Sequence, residues 1–253
     1  VMEGTLLKYL SNEKFKKLSN GEGGSINFPS GLKADELQIV KVKKNKPHEC
    51  VIAGTSVANL KPKGRFLLLI ASKKYSADVI YGFFLKSYKF ERYKSKKTEV
   101  LKEVLVMNLE PNLLQKKYKF FQSLLYGVYF CRDLINEPAN ILNTVEFSSR
   151  LKSLEFHGLK VEILEEERLK ELGMRALLAV GQGSCNPSKV AIIRWEGSKK
   201  KKKPILLVGK GVVFDSGGIS IKSAGGMEEM VMDMGGAAVV AGVMKSLALR
   251  QAK

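Results

Sequence analysis

Short runs of branched apolar residues alternate with helix-like segments through the second half of this chain. From residue 140 onward, strand-like runs occur at 160–164, 189–195 and 204–208, with segments of helical character between them. Strands that are separated by helices usually pair in parallel, so this alternation predicts an α/β fold with a mostly parallel sheet. The last apolar segment, 237–249, is rich in alanine and is predicted to form a buried helix.

The N-terminal part shows a similar mixture of strand-like and helix-like segments. Residues 77–88 have helical character, and four other runs are rich in branched apolar residues and are predicted to be strands. These four runs are residues 37–42, 50–54, 66–71 and 100–109. We therefore expect a smaller N-terminal α/β domain over residues 1–110.

A long helix is predicted between the two parts. Five apolar residues recur at steps of four and three, which places them on one helical face. They are Leu114, Tyr118, Phe121, Leu125 and Val128. The helix is predicted over about 112–136, and Pro138 is expected to end it. We therefore expect a linker helix over 111–137 and a second domain over 138–253.

The chain is strongly basic, with 43 Lys and Arg against 25 Asp and Glu and a formal net charge of +18 over 253 residues. Most of this charge is lysine in short clusters. Such clusters fit either a solvated lysine-rich surface or an interface for nucleic acid, and no recognised nucleic-acid motif accompanies them. Both interpretations remain open from the sequence.

Cysteine content and hydropathy point to a cytoplasmic protein without a membrane anchor. The three cysteines form no CxxC pair, which argues against a disulfide framework and a zinc ribbon. No apolar run approaches the roughly 20 residues needed to span a bilayer. We therefore expect no association with a membrane.

The stretch "VGKGVVFDSGGISIK" at 208–222 is the most informative part of the sequence. It does not match a phosphate-binding loop, because Ile221 stands where a glycine should precede Lys222. It does not match a dinucleotide fingerprint either, because Phe214 occupies the position of the third glycine. A phosphate site is therefore disfavoured.

A metal site explains the carboxylates of this region better. Asp215 follows the strand-like run 204–208, and Asp233 precedes the C-terminal helix among methionines and glycines. Carboxylates are hard oxygen ligands, and a bridging one can hold two divalent ions. The alternative is a purely structural cluster in which Lys210 and Lys222 pair with the two aspartates.

The same stretch, followed by "MEEMVMDMGGAA", closely resembles the signature of the leucyl aminopeptidase family, the cytosolic two-metal exopeptidases. Three other segments also look like segments of that family: "SYKFERYKSKK" (87–97), "RDLINEPAN" (132–140) and "ALLAVGQGS" (176–184). The resemblance extends from about residue 80 to the end. It implies a zinc-exopeptidase-like α/β catalytic domain over 138–253, preceded by a smaller N-terminal α/β domain.

The resemblance also implies roles for single residues. Lys210 and Asp233 would bind one metal ion, Asp215 would bridge two, and Lys222 would polarise the scissile carbonyl as the catalytic cation. Met230 would line the pocket for the first substrate side chain. Lys210, Asp215, Lys222 and Met230 would together form the substrate site. The amine of Lys210 has to be neutral to bind metal, so its pKa is expected to be depressed by desolvation and the adjacent dication.

The function implied by the resemblance is release of N-terminal amino acids from peptides, with leucine preferred, by two divalent ions, Zn²⁺ or Mn²⁺. The family forms homo-oligomers, namely hexamers, so a cytoplasmic hexamer is expected. The family completes its site with a later segment, Asn-Thr-Asp-Ala-Glu-Gly-Arg, which these 253 residues do not contain. The chain is therefore expected to hold only the N-terminal part of the catalytic domain and to show little or no activity alone. The alternative is a non-catalytic, lysine-rich, aminopeptidase-like protein that binds nucleic acid.

Overall fold

The structure, a computed structural model, confirms the mixed α/β class that the sequence predicts. It describes residues 2–44, 46–60, 66–70, 74–97, 103–198 and 203–253. The α-helices in this part of the chain are numbered in chain order. They are α1 (Met2–Ser11), α2 (Glu13–Lys17), α3 (Pro47–Asn59), α4 (Ser76–Ser87), α5 (Pro111–Asn136), α6 (Thr144–Lys152), α7 (Glu166–Glu171), α8 (Arg175–Gly181) and α9 (Gly235–Leu249).

The strands of the described residues form three two-stranded sheets. Strand β1 (Gly23–Asn27) pairs antiparallel with β2 (Glu36–Val40). Strand β3 (Phe66–Ile70) pairs parallel with β4 (Glu103–Met107). Strand β5 (Lys160–Leu164) pairs antiparallel with β6 (Val190–Arg194). Contacts divide the chain into two units, Val1–Gln122 and Ser123–Lys253, and the division falls inside α5.

The one strand pair described after residue 140 is antiparallel, whereas the sequence predicted mostly parallel pairing there. Lys160 of β5 lies opposite Arg194 of β6, and Leu164 lies opposite Val190, which is an antiparallel register. The apolar run 204–208, predicted as a further strand, pairs with no strand in the described parts of the chain. Apolar composition fits a strand of either direction, so direction and pairing depend on neighbours that a local pattern does not specify.

The prediction of a strand at 50–54 was wrong, because these residues lie within α3. Pro47 occupies the first turn of this helix, where its missing N–H costs nothing. Cys50, Ala53 and Gly54 are spaced by three and four residues and are buried. A Cβ atom added to Gly54 would lie 2.0 Å from the carbonyl oxygen of Val79 in α4, so the two helices are in backbone contact. Packing against α4 therefore overrides the β preference of the branched side chains.

The second unit is built around the second half of α5 and the helices α6 and α9. Its buried residues form one apolar cluster. They include Leu134, Leu142, Phe147, Leu151, Leu154, Leu159, Val161, Met234, Ala238, Ala241 and Ala248. Helices α5 and α9 approach closely at two glycines, since a Cβ atom on Gly127 would lie 2.3 Å from the carbonyl oxygen of Gly242. This cluster supports the segments that carry the predicted site residues.

The stretch Met227–Leu249 is, among the described residues, long and apolar enough by composition to cross a membrane. In the fold it is a 3-10 turn (Met227–Met232) followed by the 15-residue helix α9. Ala238, Ala241 and Ala248 of α9 are fully buried in the core of the second unit. The helix of a folded domain core shows this pattern, so the stretch by itself is weak evidence for a membrane span.

Candidate metal centre

Lys210 is positioned by a close approach of two glycine-containing segments. A Cβ atom on Gly209 would lie 2.5 Å from the carbonyl oxygen of Gly236 in the first turn of α9. The backbone N–H of Ala237 donates to the carbonyl oxygen of Lys210 at 2.8 Å. These contacts hold Lys210 beside the start of α9 and so beside Asp233, which precedes that helix.

A tight turn between Asp215 and Lys222 reverses the chain direction, so that these two residues lie close together. Gly217 and Gly218 both adopt a left-handed backbone conformation, with φ of 92° and 87°, which glycine tolerates best. The N–H of Lys222 donates to the carbonyl oxygen of Ser216 at 2.9 Å and closes the turn. Lys222 Nζ consequently lies 3.4 Å from Asp215 Oδ2.

Asp233 is placed by the short 3-10 turn that leads into α9. Its N–H donates to the carbonyl oxygen of Met230 at 3.2 Å, and Met234, the next residue, is completely buried. The carboxylate is mostly covered, with 18% of its side chain exposed, whereas 58% of the Lys210 side chain is exposed. Lys210 Nζ donates to Asp233 Oδ1 at 2.7 Å.

The two ion pairs influence each other electrostatically. The hydrogen bond to Asp233 raises the pKa of Lys210, and the negative charge of Asp215 contributes in the same direction. The N–H of Gly217, which donates to Asp215 Oδ1 at 2.9 Å, lowers the pKa of Asp215, and the charges of Lys222 and Lys210 add to that effect. Lys210 is therefore within interaction range of both carboxylates.

The structure thus brings together four of the five residues that the sequence singled out: Lys210, Asp215, Lys222 and Asp233. Met230 belongs to the same region, one turn before Asp233, and its side chain is half-buried. The expected depression of the Lys210 pKa concerns a metal-bound state. In the arrangement described here the pKa is raised instead, because Asp233 stabilises the protonated amine.

One atom of this cluster lacks a partner. Asp233 Oδ2 is buried and accepts no hydrogen bond within the described part of the chain. A buried carboxylate oxygen without a partner is costly, and a divalent cation is one group that would satisfy it. Within the described ranges, no group of three or more His, Cys, Asp and Glu side chains could hold a metal ion. The donors of this cluster are two carboxylates and the Lys210 amine, and their chemistry fits a divalent cation.

Several structural contacts had no counterpart in the sequence pattern. The N–H of Gly217 donates to the Asp215 carboxylate, and Gly209 contacts the backbone of α9. Glu137, inside the motif "RDLINEPAN", received no role. It is 1% exposed and forms a salt bridge with Arg150 of α6. Nothing in the local sequence pattern distinguishes it from Asp133, the other acidic residue of that motif.

An α/β fold with a lysine–aspartate cluster at the start of a core helix defines a candidate divalent-metal protein. Comparison with known proteins narrows this class to one family. Residues 129–253 match the cytosol aminopeptidase family, catalytic domain. A probable cytosol aminopeptidase of Cereibacter sphaeroides is 44% identical over 258 residues, covering 100% of this chain and 52% of that protein. The corresponding protein of Dinoroseobacter shibae is 43% identical over 252 residues, covering 99% of this chain and 51% of that protein.

A solved structure is also similar to this chain. The bottromycin maturation enzyme BotP in complex with Mn is similar with a TM-score of 0.73 and 26% identity, covering 93% of this chain and 52% of that one. The chain belongs to the cytosol aminopeptidase family. It spans about half the length of the curated relatives that it matches. The resemblance found in the sequence is thereby confirmed.

Proposed function

We propose that this chain carries part of a metal-dependent aminopeptidase that releases N-terminal residues from peptides, with leucine preferred, by a two-metal hydrolytic route. The observation that carries the proposal is the cluster of Lys210, Asp215, Lys222 and Asp233, in which Asp233 Oδ2 is buried without a partner. Membership of the family supports it. A purely structural pair of salt bridges would leave the buried oxygen unexplained.

Each residue of the cluster has a proposed task. Lys210 and Asp233 would hold one ion, and Asp215, whose Oδ2 lies 3.4 Å from Lys222 Nζ, would contribute to holding a second. Bound divalent ions supply Lewis-acid activation of water and a site for the free α-amine of the substrate. Lys222 presents its ammonium to the scissile carbonyl and stabilises the developing oxyanion. Met230 contributes a flexible thioether to the pocket for the first side chain.

Lys210 has to lose a proton before its amine can bind an ion. In the described arrangement it donates to Asp233 and its pKa is raised. A divalent ion bound at Asp233 would favour the neutral amine of Lys210, because its charge would repel the ammonium. Asp233 Oδ2, which accepts no hydrogen bond from the described residues, would be available to hold that ion.

The identity of the metal and the assembly state belong to the proposal as well. We propose Zn²⁺ or Mn²⁺, and the Mn complex of BotP favours a divalent ion of this kind. A cytoplasmic hexamer is proposed, and relatives named cytosol aminopeptidases support the compartment.

The 253-residue chain alone is proposed to turn over little substrate. Three protein donors commonly suffice for one catalytic zinc ion, and among the described residues of the cluster Asp215 is the donor proposed for a second.

Isothermal titration of the purified chain with Mn²⁺ and Zn²⁺ tests the site. We expect binding of one ion, and a loss of at least tenfold in affinity in Asp233→Asn and Asp215→Asn. The matched control is Glu171→Gln, which removes a carboxylate from an exposed pair with Arg168 in α7. Equal affinity in all variants would refute the metal site.

A leucyl anilide assay tests the activity, with Asp215→Ala as the background. We expect turnover by the 253-residue chain close to that background. Turnover at the rate of a working enzyme would contradict the proposal that the second ion is poorly held.

Binding to nucleic acid remains a second candidate because of the charge distribution. Residues 1–122 contain 24 Lys and Arg against 11 Asp and Glu, a net +13, while 123–253 contain 19 against 14, a net +5. Titration of double-stranded DNA at rising salt tests this candidate, since release of counterions makes specific phosphate contacts strongly salt-dependent. Absence of binding at 50 mM salt would assign the lysines to a solvated surface.

A further inference from the structure

Arg150 of α6 and Glu137, which directly follows α5, form a buried ion pair in the second unit. The Glu137 side chain is fully buried, and 19% of the Arg150 side chain is exposed. Arg150 Nη1 donates to Glu137 Oε2, and Arg150 Nε donates to Glu146 Oε1 at 2.7 Å. Because the guanidinium is planar, the bond from Nε to Glu146 also restricts the direction in which Nη1 can point.

The pair fixes the placement of α6 relative to the end of α5. Burial of two charges offsets much of their mutual attraction, and apolar residues of similar volume often replace such a pair without loss of stability. Hydrogen bonds between charged groups are directional, however, whereas the hydrophobic effect is not. The contribution that apolar residues could not replace is therefore the direction of the contact between the two elements.

Both elements that the pair joins also contact a segment of the candidate metal centre. At the end of α5, Ile135 Cδ1 lies 3.8 Å from the position of a Cβ atom on Gly235, two residues after Asp233. In α6, Cε1 of the buried Phe147 lies 3.9 Å from the position of a Cβ atom on Gly211, the residue after Lys210. Phe147 and Ile135 are within three residues of Arg150 and Glu137 respectively, so the pair lies close to both contacts.

The segment around Lys210 contacts α6 and the start of α9 at the same residue. A Cβ atom on Gly211 would lie 3.5 Å from Ala237 Cβ, in addition to its contact with Phe147. The N–H of Ala237 donates to the carbonyl oxygen of Lys210 at 2.8 Å. This N–H belongs to the first turn of α9, where the helix itself offers no acceptor. The bond therefore exists only while the Lys210 segment stays against α9.

We propose that Glu137 and Arg150 are positioning residues of the candidate metal centre. Their ion pair keeps α6 and the end of α5 aligned, so that the support of the Lys210 segment and the support of the start of α9 stay in register. Loss of the pair lets the two segments shift, and the amine of Lys210 and the carboxylate of Asp233 then converge less closely. The part of this inference that concerns metal ions rests on the function proposed above, whereas the part that concerns the Lys210 segment does not.

Hydrogen exchange of single amides, measured by NMR in the absence of metal, tests the placement of the Lys210 segment. The reporter is the amide of Ala237, and amides in the middle of α9 are the reference. The decisive protein is the double variant Glu137→Leu/Arg150→Met, which leaves no unpaired charge in the interior and should keep its melting temperature. We expect its Ala237 amide to exchange on the order of tenfold faster, with the reference amides unchanged.

Two further variants complete the experiment. Arg150→Met alone leaves the Glu137 carboxylate buried without this partner, so a lower melting temperature should accompany the faster exchange of Ala237. Should this variant fail to fold, the double variant decides. The matched control is Arg168→Met, which removes an arginine from an exposed pair with Glu171 and should change neither quantity.

Isothermal titration with Mn²⁺ tests the consequence for the metal centre. We expect the affinity of the double variant to fall about tenfold at an unchanged melting temperature, because the ligands remain but are less well placed. The Arg168→Met control should bind Mn²⁺ like the unaltered chain.

The outcomes separate this inference from the proposed function. Unchanged exchange of Ala237 in the double variant would overturn the inference, and so would an equal increase at Ala237 and throughout α9, which would indicate general loosening. Faster exchange of Ala237 with unchanged Mn²⁺ affinity would overturn the role in the metal centre. Failure of the unaltered chain to bind Mn²⁺ would instead refute the proposed function, and the exchange of Ala237 would still decide whether the pair positions Lys210.

Discussion

Lys210 and Asp233, 23 residues apart in sequence, are joined by a hydrogen bond of 2.7 Å between Nζ and Oδ1. More than half of the lysine side chain remains exposed, while its partner is mostly covered. Exposed ion pairs contribute little to folding, because water screens them and ordering the side chains costs entropy. We therefore expect this pair to contribute little to the stability of the fold, and its role in binding a metal ion is the proposal to be tested.

Lys210→Met is expected to distinguish a role in metal binding from a role in the stability of the fold. The melting temperature should change little, and the affinity for Mn²⁺ should fall at least tenfold because one donor is lost. Differential scanning calorimetry and isothermal titration measure the two quantities on the same sample. A large fall in melting temperature with unchanged Mn²⁺ affinity would show that the pair is structural.

Gly217→Ala is expected to disturb the turn that joins Asp215 to Lys222. A Cβ atom at this position would lie 2.5 Å from the carbonyl oxygen of Ser220, and φ is 92°. Gly218 is the matched control, because φ is 87° there but no atom lies within 4 Å of an added Cβ. Gly218→Ala should cost only the conformational strain, about 1 kcal/mol. Gly217→Ala should cost more and should also weaken Mn²⁺ binding. Equal effects of the two substitutions on unfolding by urea would contradict this account.

Gly127→Ala is expected to destabilise the second unit. The added methyl group would lie 2.0 Å from Ser246 Oγ and 2.3 Å from the carbonyl oxygen of Gly242, so α5 and α9 would have to separate. Overpacking of this kind costs about 1–3 kcal/mol, which outweighs the gain in helix propensity. Gly183→Ala is the control, because an added Cβ there meets nothing within 4 Å. Urea denaturation measures both variants, and a Gly127→Ala protein as stable as the control would refute the tight crossing.

Stability should depend on pH through His157. Burial lowers the pKa of this imidazole below its usual 6.5, and the positive charge of Lys245 lowers it further. The unfolded chain therefore binds the proton more readily than the folded one, so stability falls as pH decreases through 6.5 toward the folded pKa. His157→Gln should therefore flatten that part of the curve. Melting temperatures of the two proteins between pH 5 and 8 measure this, and identical slopes would argue against it.

The sequence located helix α5 and most of the strands more reliably than it specified how the strands pair. Helix α5 was predicted at 112–136 and observed at Pro111–Asn136, since apolar residues at steps of three and four report helical packing directly. Strand pairing depends on segments far away in sequence. The run 204–208 looked like a strand by composition, but no described segment pairs with it. The boundaries proposed for the two domains stay a prediction.

For the site, the sequence by itself determined which side chains could act, because the spacing of Lys210, Asp215, Lys222 and Asp233 matched a family signature. Only the tertiary structure decided how they meet. The left-handed backbone conformation of Gly217 brings Lys222 close to Asp215. The close contact of Gly209 with Gly236 places Lys210 beside Asp233. Local sequence specifies the residue types and the flexibility of glycine. Which backbone segments touch depends on the packing of α9 into the core, and that is a property of the whole unit.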